Sequence, residues 1–173
     1  MKRELLYLGH PGLRKLCERV GPITKEVRDL AQDLIDSMLA YHGIGLAAPQ
    51  IGRYLRLFVI QCAPFEENEE ESTPPLSSVP EIFINPVITF FSRVKRVMQE
   101  GCLSIPGIQA DVIRPHMITV EAMNLRGEFF VEEEVKGWRA RVIMHENDHL
   151  NGVLYIDHLS KKQRKRLLIE SDK

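Results

Sequence analysis

Between residues 24 and 42 the apolar positions recur every three to four residues: Val27, Leu30, Ala31, Leu34, Ile35, Met38 and Leu39 fall on one helical face. Thr24 stands where a hydroxyl can cap a helix, and the pattern ends at His42 and Gly43, which predicts one amphipathic helix packed on a core. His42 reads as a helix-end residue, where a cation is favoured. The stretch GIGLAAPQIG at 43–52 cannot easily continue a helix through its glycines and Pro49, and it reads as a loop. Beyond it, LRLFVIQC at 55–62 reads as a buried strand. Further strand-like runs lie at 83–91, with a break at Asn85-Pro86, and at 94–99, 117–123 and 128–135. A helix from Trp138 to Asn151 follows, with Gly152 placed to end it. A final basic helix starts after Ser160. Strands grouped around a few helices, without regular alternation, indicate an α+β domain. There is no internal repeat and no linker, so residues 1–173 read as one domain.

Composition narrows the setting. A formal charge of −1 gives no global basic footprint for nucleic acid, so no specific DNA binding is expected. Cys17, Cys62 and Cys102 are odd in number and widely spaced, which argues against a secreted disulfide framework and for reduced thiols. The N-terminal MKRELLYLGHPG lacks the apolar core of a signal peptide, and no run approaches the roughly 18 apolar residues of a membrane span. A cytoplasmic protein is expected. The acidic, proline-rich stretch 63–81 suits an exposed loop or flap and carries no assigned chemistry. Lys161, Lys162, Arg164, Lys165 and Arg166 make the last helix basic; a solvated face is the ordinary reading, and a ribosome contact the minority one.

The chemistry concentrates in HENDH at 145–149. Residues four apart on a helix share a face, so His145 and His149 can reach one cation, and Glu146 can lean over the remaining position as a base. The third ligand is not in the motif, and it decides between very different enzymes. Cys102, in EGCLSIPG before a predicted turn at Pro106-Gly107, is one candidate, because a thiolate is a strong ligand for a transition metal. Asp157 and His158 downstream are the candidates of a zinc endopeptidase. However, the extended HExxHxxGxxH spacing would need histidine at 155, which is Tyr155.

Taken together, GIGLAAPQ at 43–50, EGCLS at 100–104 and HENDH at 145–149 resemble the three motifs of peptide deformylase, in that family's order and at similar separations. The likeness extends through Arg114-Pro115 and the ARVI and HLNGVLYID flanks to nearly the whole chain. One departure is Met144, where many members carry glutamine. The resemblance implies removal of the N-formyl group from the initiating methionine of new polypeptides, with N-formylmethionyl peptides as partners and Fe²⁺ as the physiological ion. By ligand type the same set also accommodates zinc, nickel or cobalt. The implied architecture is α+β, with antiparallel strands packed around a central helix carrying HExxH, an N-terminal amphipathic helix and a C-terminal helix.

The implied roles are specific. Cys102, His145 and His149 hold the metal with a fourth position left for water, the arrangement of a catalytic site. Glu146 is general base and then acid. The Gln50 side-chain amide and the Leu103 backbone N–H steady the oxyanion. Gly43, Ile44 and Gly45 present backbone to the peptide, with Gly45 allowing close approach. Trp138, Arg141 and Val142 are candidate walls of a methionine pocket. Glu100 and Arg114 read as an ion pair bracing the cysteine loop, and Asp148 as an orienter behind the ligands. The reading from another class, an inactive homologue serving as a ribosome-binding module, is weakened by the presence of every group that the mechanism requires.

Overall fold

The computed structural model describes residues 1–64 and 74–171. Residues 65–73 of the expected acidic flap therefore lie outside the described residues. Helix α1 spans Lys25–Ala40, and three strands follow: β1 (Gly45–Ala47), β2 (Leu57–Ile60) and β3 (Glu81–Phe91). A hairpin of β4 (Lys95–Cys102) and β5 (Ile105–Pro115) comes next, then β6 (Met117–Met123), β7 (Phe129–Lys136), helix α2 (Gly137–Leu150) and helix α3 (Lys161–Ser171). Thr24 occupies the N-cap of α1 without a side-chain capping bond. At α3 the hydroxyl of Ser160 accepts from the Gln163 N–H at 3.3 Å, and Gln163 Oε1 accepts from the Ser160 N–H at 3.1 Å, a reciprocal cap.

Five strands form one antiparallel sheet in the order β1-β2-β3-β6-β7, and β4 and β5 form a separate antiparallel pair. Strand β2 explains how the helices attach. Its four residues are fully buried, and successive side chains point to opposite faces of a strand. Leu57 and Val59 join Val27, Leu30, Leu34 and Met38 of α1 in one cluster. Phe58 and Ile60 join Ala140, Val142, Ile143 and Met144 of α2, with Phe83, Ile118 and Val120, in another. One short apolar run thus holds a helix on each side of the sheet, each large side chain contributing about 1.5–3 kcal/mol relative to exposure. A third cluster, Leu13, Ile105, Val112, Leu154, Tyr155 and Ile156, seats the β4–β5 hairpin.

Three local expectations change. The 43–52 stretch, read as a loop, contains strand β1 and a 3-10 turn at Ala48–Ile51, because pairing with β2 extends Gly45–Ala47. The expected break at Asn85-Pro86 is a bulge within a continuous β3; Asn85 takes φ +51°, and its side chain both accepts from Val20 N–H and donates to Val20 C=O at 2.8 Å. The expected turn at Pro106-Gly107 lies inside β5, where Gly107 takes φ +74°.

Candidate active site and metal centre

Helix α2 lays its inner face against the sheet, so the HENDH segment is drawn inside: His149 is 1 % exposed, Glu146 4 % and His145 9 %. The two imidazole centroids stand 5.0 Å apart with rings inclined at 70°. Cys102 ends β4 at the tight passage into β5, where it pairs with Ile105, and this corner aims its sulfur at the helix. Its Sγ lies 3.3 Å from His149 Nε2. One ligand atom from each of Cys102, His145 and His149 lies within 4.8 Å of the others, and among the described residues this is the group of three or more donors that could hold a metal ion. The rival downstream donors are committed elsewhere: Asp157 pairs with Arg14 and Arg164, and His158 Nε2 lies 2.7 Å from Asp148 Oδ2.

Behind the ligands stands a buried charge network. Glu100, 4 % exposed, accepts from Arg114 Nε at 2.7 Å and Nη2 at 3.0 Å, and from Arg141 Nη1 at 2.8 Å. Its Oε2 is 3.0 Å from His145 Nδ1, which leaves Nε2 of that ring for a metal. Arg114 reaches onward to Asp148 Oδ2 at 2.7 Å. Burial would push the Glu100 carboxyl up, but the hydrogen bonds to His145 and Arg114 outweigh it and hold the group well below the carboxylate range. Burial alone would lower both histidines; for His145 the contacts to Cys102 and Glu100 reverse this, whereas His149 stays lowered, with His145 and Arg114 adding to the effect.

Glu146 differs from Glu100. Burial pushes its carboxyl up to about 7, and among the described residues its Oε2 has no hydrogen-bond partner. An ionised carboxylate left so is costly unless a cation or water meets it. The whole set fits a divalent cation by ligand type: a sulfur and two imidazoles converge beside the unpartnered carboxylate oxygen of Glu146.

Gln50, in the turn after β1, is 1 % exposed. Its Oε1 accepts from the Ala47 N–H at 2.8 Å, which fixes the amide so that Nε2 faces Ser104 Oγ at 3.1 Å and Cys102 Sγ at 3.5 Å. Gly43 and Gly45 have steric reasons to be glycine. A Cβ on Gly43 would sit 2.7 Å from Leu103 Cδ1, and one on Gly45 would meet the Glu146 side chain at 2.9 Å from Cδ and closer still to Oε1. The carbonyl of Ile44 accepts from the Gln61 N–H at 2.8 Å. A cavity of about 1140 Å³ opens onto this group, bordered by Gly43, Ile44, Gly45, Gln50, Cys102 and Leu103, and on the helix side by Trp138, Arg141, Val142, His145 and Glu146. Trp138 is half-buried against the α2 core.

Two features escape sequence reasoning. Arg141 borders the cavity, yet its guanidinium is spent on Glu100 and on the carbonyls of Val112 and Arg96, both at 2.9 Å, so it ties α2 to both strands of the hairpin. No local pattern signals this. Ser104, fully buried and bonded to Gln50, lies inside the EGCLS motif, which was the available signal.

Residues 2–165 match the family model described as polypeptide deformylase. The peptide deformylase of Afipia carboxidovorans is 44 % identical over 166 residues, covering 96 % of this chain and 91 % of that one. Among solved structures, peptide deformylase from Ehrlichia chaffeensis superposes with a TM-score of 0.87 at 31 % identity, covering 99 % of this chain and 96 % of the other. The Met-Ala-Ser-bound class I type b enzyme of Acinetobacter baumannii gives 0.82 at 28 % identity, covering 92 % and 99 %. Agreement over nearly the full length in both sequence and backbone leaves one conclusion: the chain belongs to the peptide deformylase family, metal-dependent hydrolases that remove the N-formyl group from the formylmethionine of nascent peptides.

Proposed function

We propose that residues 1–173 form one catalytic domain, organised on α2 as its central helix with α1 as the amphipathic N-terminal helix, in which Cys102, His145 and His149 hold a single Fe²⁺. The same donors accept Zn²⁺, Ni²⁺ or Co²⁺. When bound, such a cation supplies Lewis acidity, which makes water nucleophilic near neutral pH and polarises a carbonyl. The supporting observation is the meeting of a sulfur and two imidazoles from distant parts of the chain beside the buried carboxylate of Glu146.

The protein groups then divide the work. Glu146 takes a proton from the water that adds to the formyl carbon. As the new C–O bond forms, negative charge gathers on the formyl oxygen, where the Gln50 Nε2–H and the Leu103 N–H donate to it. Glu146 returns its proton to the methionine nitrogen as the C–N bond breaks, releasing formate and a free amine. Glu100, braced by Arg114, fixes the tautomer and direction of His145, and Asp148 steadies Arg114.

Strand β1 lies at an edge of its sheet, and Gly43, Ile44 and Gly45 at its start offer an extended peptide the main-chain groups not already bonded to Met38 and Gln61, a mode tolerant of downstream sequence. Trp138, Arg141 and Val142 wall the methionine side chain. The Met-Ala-Ser peptide of the Acinetobacter relative supports a substrate of this class. Among the described residues no helix is long and apolar enough to cross a membrane. A cytoplasmic setting, with α3 facing the ribosome through its basic residues, completes the proposal. Formate release from formyl-Met-Ala-Ser tests the base: Glu146→Ala should lower kcat by about 100-fold or more, and unchanged turnover would remove Glu146 from the mechanism.

A further inference from the structure

We infer that residues 5–8, outside the three motifs, are a positioning strap that holds the two oxyanion donors in register; this rests on the roles proposed above for Gln50 and Leu103. Gln50 sits in the 3-10 turn after β1 and Leu103 between β4 and β5, 53 residues apart in the chain. Leu103 packs on the cluster that holds Leu46 and Ala48, but apolar packing alone leaves the hydrogen-bonding groups of the two turns unaligned. The strap bonds to both. The Leu6 N–H donates to the backbone carbonyl of Gln50 at 2.7 Å, and the Leu8 N–H donates to that of Ser104, the residue after Leu103, at 2.9 Å.

The N-terminal half of the segment is itself anchored in two clusters. Leu5 is buried in the α1 cluster, and Leu6 packs on the cluster beneath the hairpin that contains Ile105 and Tyr155. A side-chain link, Gln50 Nε2 to Ser104 Oγ at 3.1 Å, lies across the same gap, but it spends one of the two protons of a rotatable amide whose other proton, toward Cys102 Sγ at 3.5 Å, is the one left for the oxyanion. The two backbone tethers use main-chain groups and do not compete with substrate. An oxyanion site works by having its donors fixed before charge develops, and a displacement of about 1 Å can cost about 100-fold in rate. Leu6 and Leu8 are therefore positioning residues acting through their main-chain N–H groups, not through their side chains.

Proline removes an N–H and alanine keeps it, so the pair separates the two contributions. Leu8 is the cleaner site, since its side chain is 36 % exposed. In full-length, metal-loaded protein, Leu8→Pro should lower kcat for formyl-Met-Ala-Ser about tenfold or more, with KM changed less than about twofold. Metal content should stay at the wild-type level. Leu8→Ala should retain wild-type kcat to within about twofold. Should the proline variant not fold, a backbone ester at Leu8, introduced on a synthetic 1–16 segment ligated at Cys17, deletes the same N–H and is read by the same outcomes. Leu6→Pro should likewise lower kcat in wild type but add less than about twofold in a Gln50→Ala background. Equal losses in the proline and alanine variants, a change in KM alone, or an undiminished effect of Leu6→Pro without Gln50 overturns the strap while leaving the oxyanion assignment standing. If Gln50→Ala by itself leaves kcat unchanged, the oxyanion assignment fails and takes the strap with it.

Discussion

Gly45→Ala places one methyl group against the Glu146 carboxylate, the proposed base. Gly45 lies on β1 directly under α2, and the added Cβ would stand 2.9 Å from Glu146 Cδ and 3.0 Å from Cγ, with Oε1 nearer still. Carbon atoms pack at about 3.5–4.0 Å, so the side chain must move by roughly 1 Å. The obstructing atoms are the outer part of a rotatable side chain and not backbone, and the melting temperature should fall by only a few degrees. Positioning is another matter. A general base displaced by about 1 Å can lose about 100-fold in rate, equivalent to about 2.7 kcal/mol of transition-state stabilisation. Formate release from formyl-Met-Ala-Ser, with metal content and thermal melting measured on the same preparation, should show kcat reduced about 100-fold, KM little changed and the metal retained. In a Glu146→Ala background the same substitution should cost less than about twofold more, because the group it displaces is already gone. Wild-type turnover in Gly45→Ala, or an undiminished loss in the absence of Glu146, would refute the reasoning.

Three further outcomes follow from the same geometry. Cys102→Ser should lose at least about nine-tenths of its metal by elemental analysis of protein purified without oxygen, since a neutral hydroxyl replaces a thiolate; a variant that keeps its metal would point to the endopeptidase ligand set. Arg114→Ala leaves Glu100 buried with fewer donors and Asp148 with His158 but no arginine, and urea denaturation should register a loss of about 3 kcal/mol; a loss below about 1 kcal/mol would mean that Arg141 and His145 together satisfy Glu100. Phe58, fully buried and stacked on Phe83 at a 5.0 Å centroid separation, should cost about 3–5 kcal/mol when replaced by alanine, whereas a value typical of surface positions would contradict the two-sided packing of β2.

Helix α1 was legible in the chain because its apolar spacing reports a face, whereas α2, buried on nearly all sides, was marked instead by its HENDH spacing and by Gly152 beyond its end. Strand β1 was not, since Gly45–Ala47 is extended by its pairing with Ile60, Val59 and Phe58, and no residue within it favours a strand. Strand β5 was hidden for a related reason: Pro106 and Gly107 carry turn chemistry and stand at the register shift between the Cys102–Ile105 and Gly101–Gln109 pairs, so the strand continues past them through an irregularity that the local sequence does not announce. The pairing of His145 with His149 follows from helical geometry alone. That Cys102 approaches them does not, because no spacing rule connects residue 102 to an α2 imidazole; only the co-occurrence of three motifs pointed there. Arg141 shows the same limitation. Its position one turn before His145 suggested a pocket wall, but the contacts that occupy its guanidinium come from β4 and β5.

The central claim is that one cation is held jointly by a loop sulfur and two helix imidazoles. X-ray absorption at the metal edge of the zinc-loaded protein tests it without reference to activity. One sulfur scatterer at about 2.3 Å together with nitrogen scatterers at about 2.0–2.1 Å is the predicted first shell, and the zinc that Cys102→Ser still holds in excess metal should show no sulfur contribution. A wild-type spectrum fitted by nitrogen and oxygen alone would contradict the proposed centre.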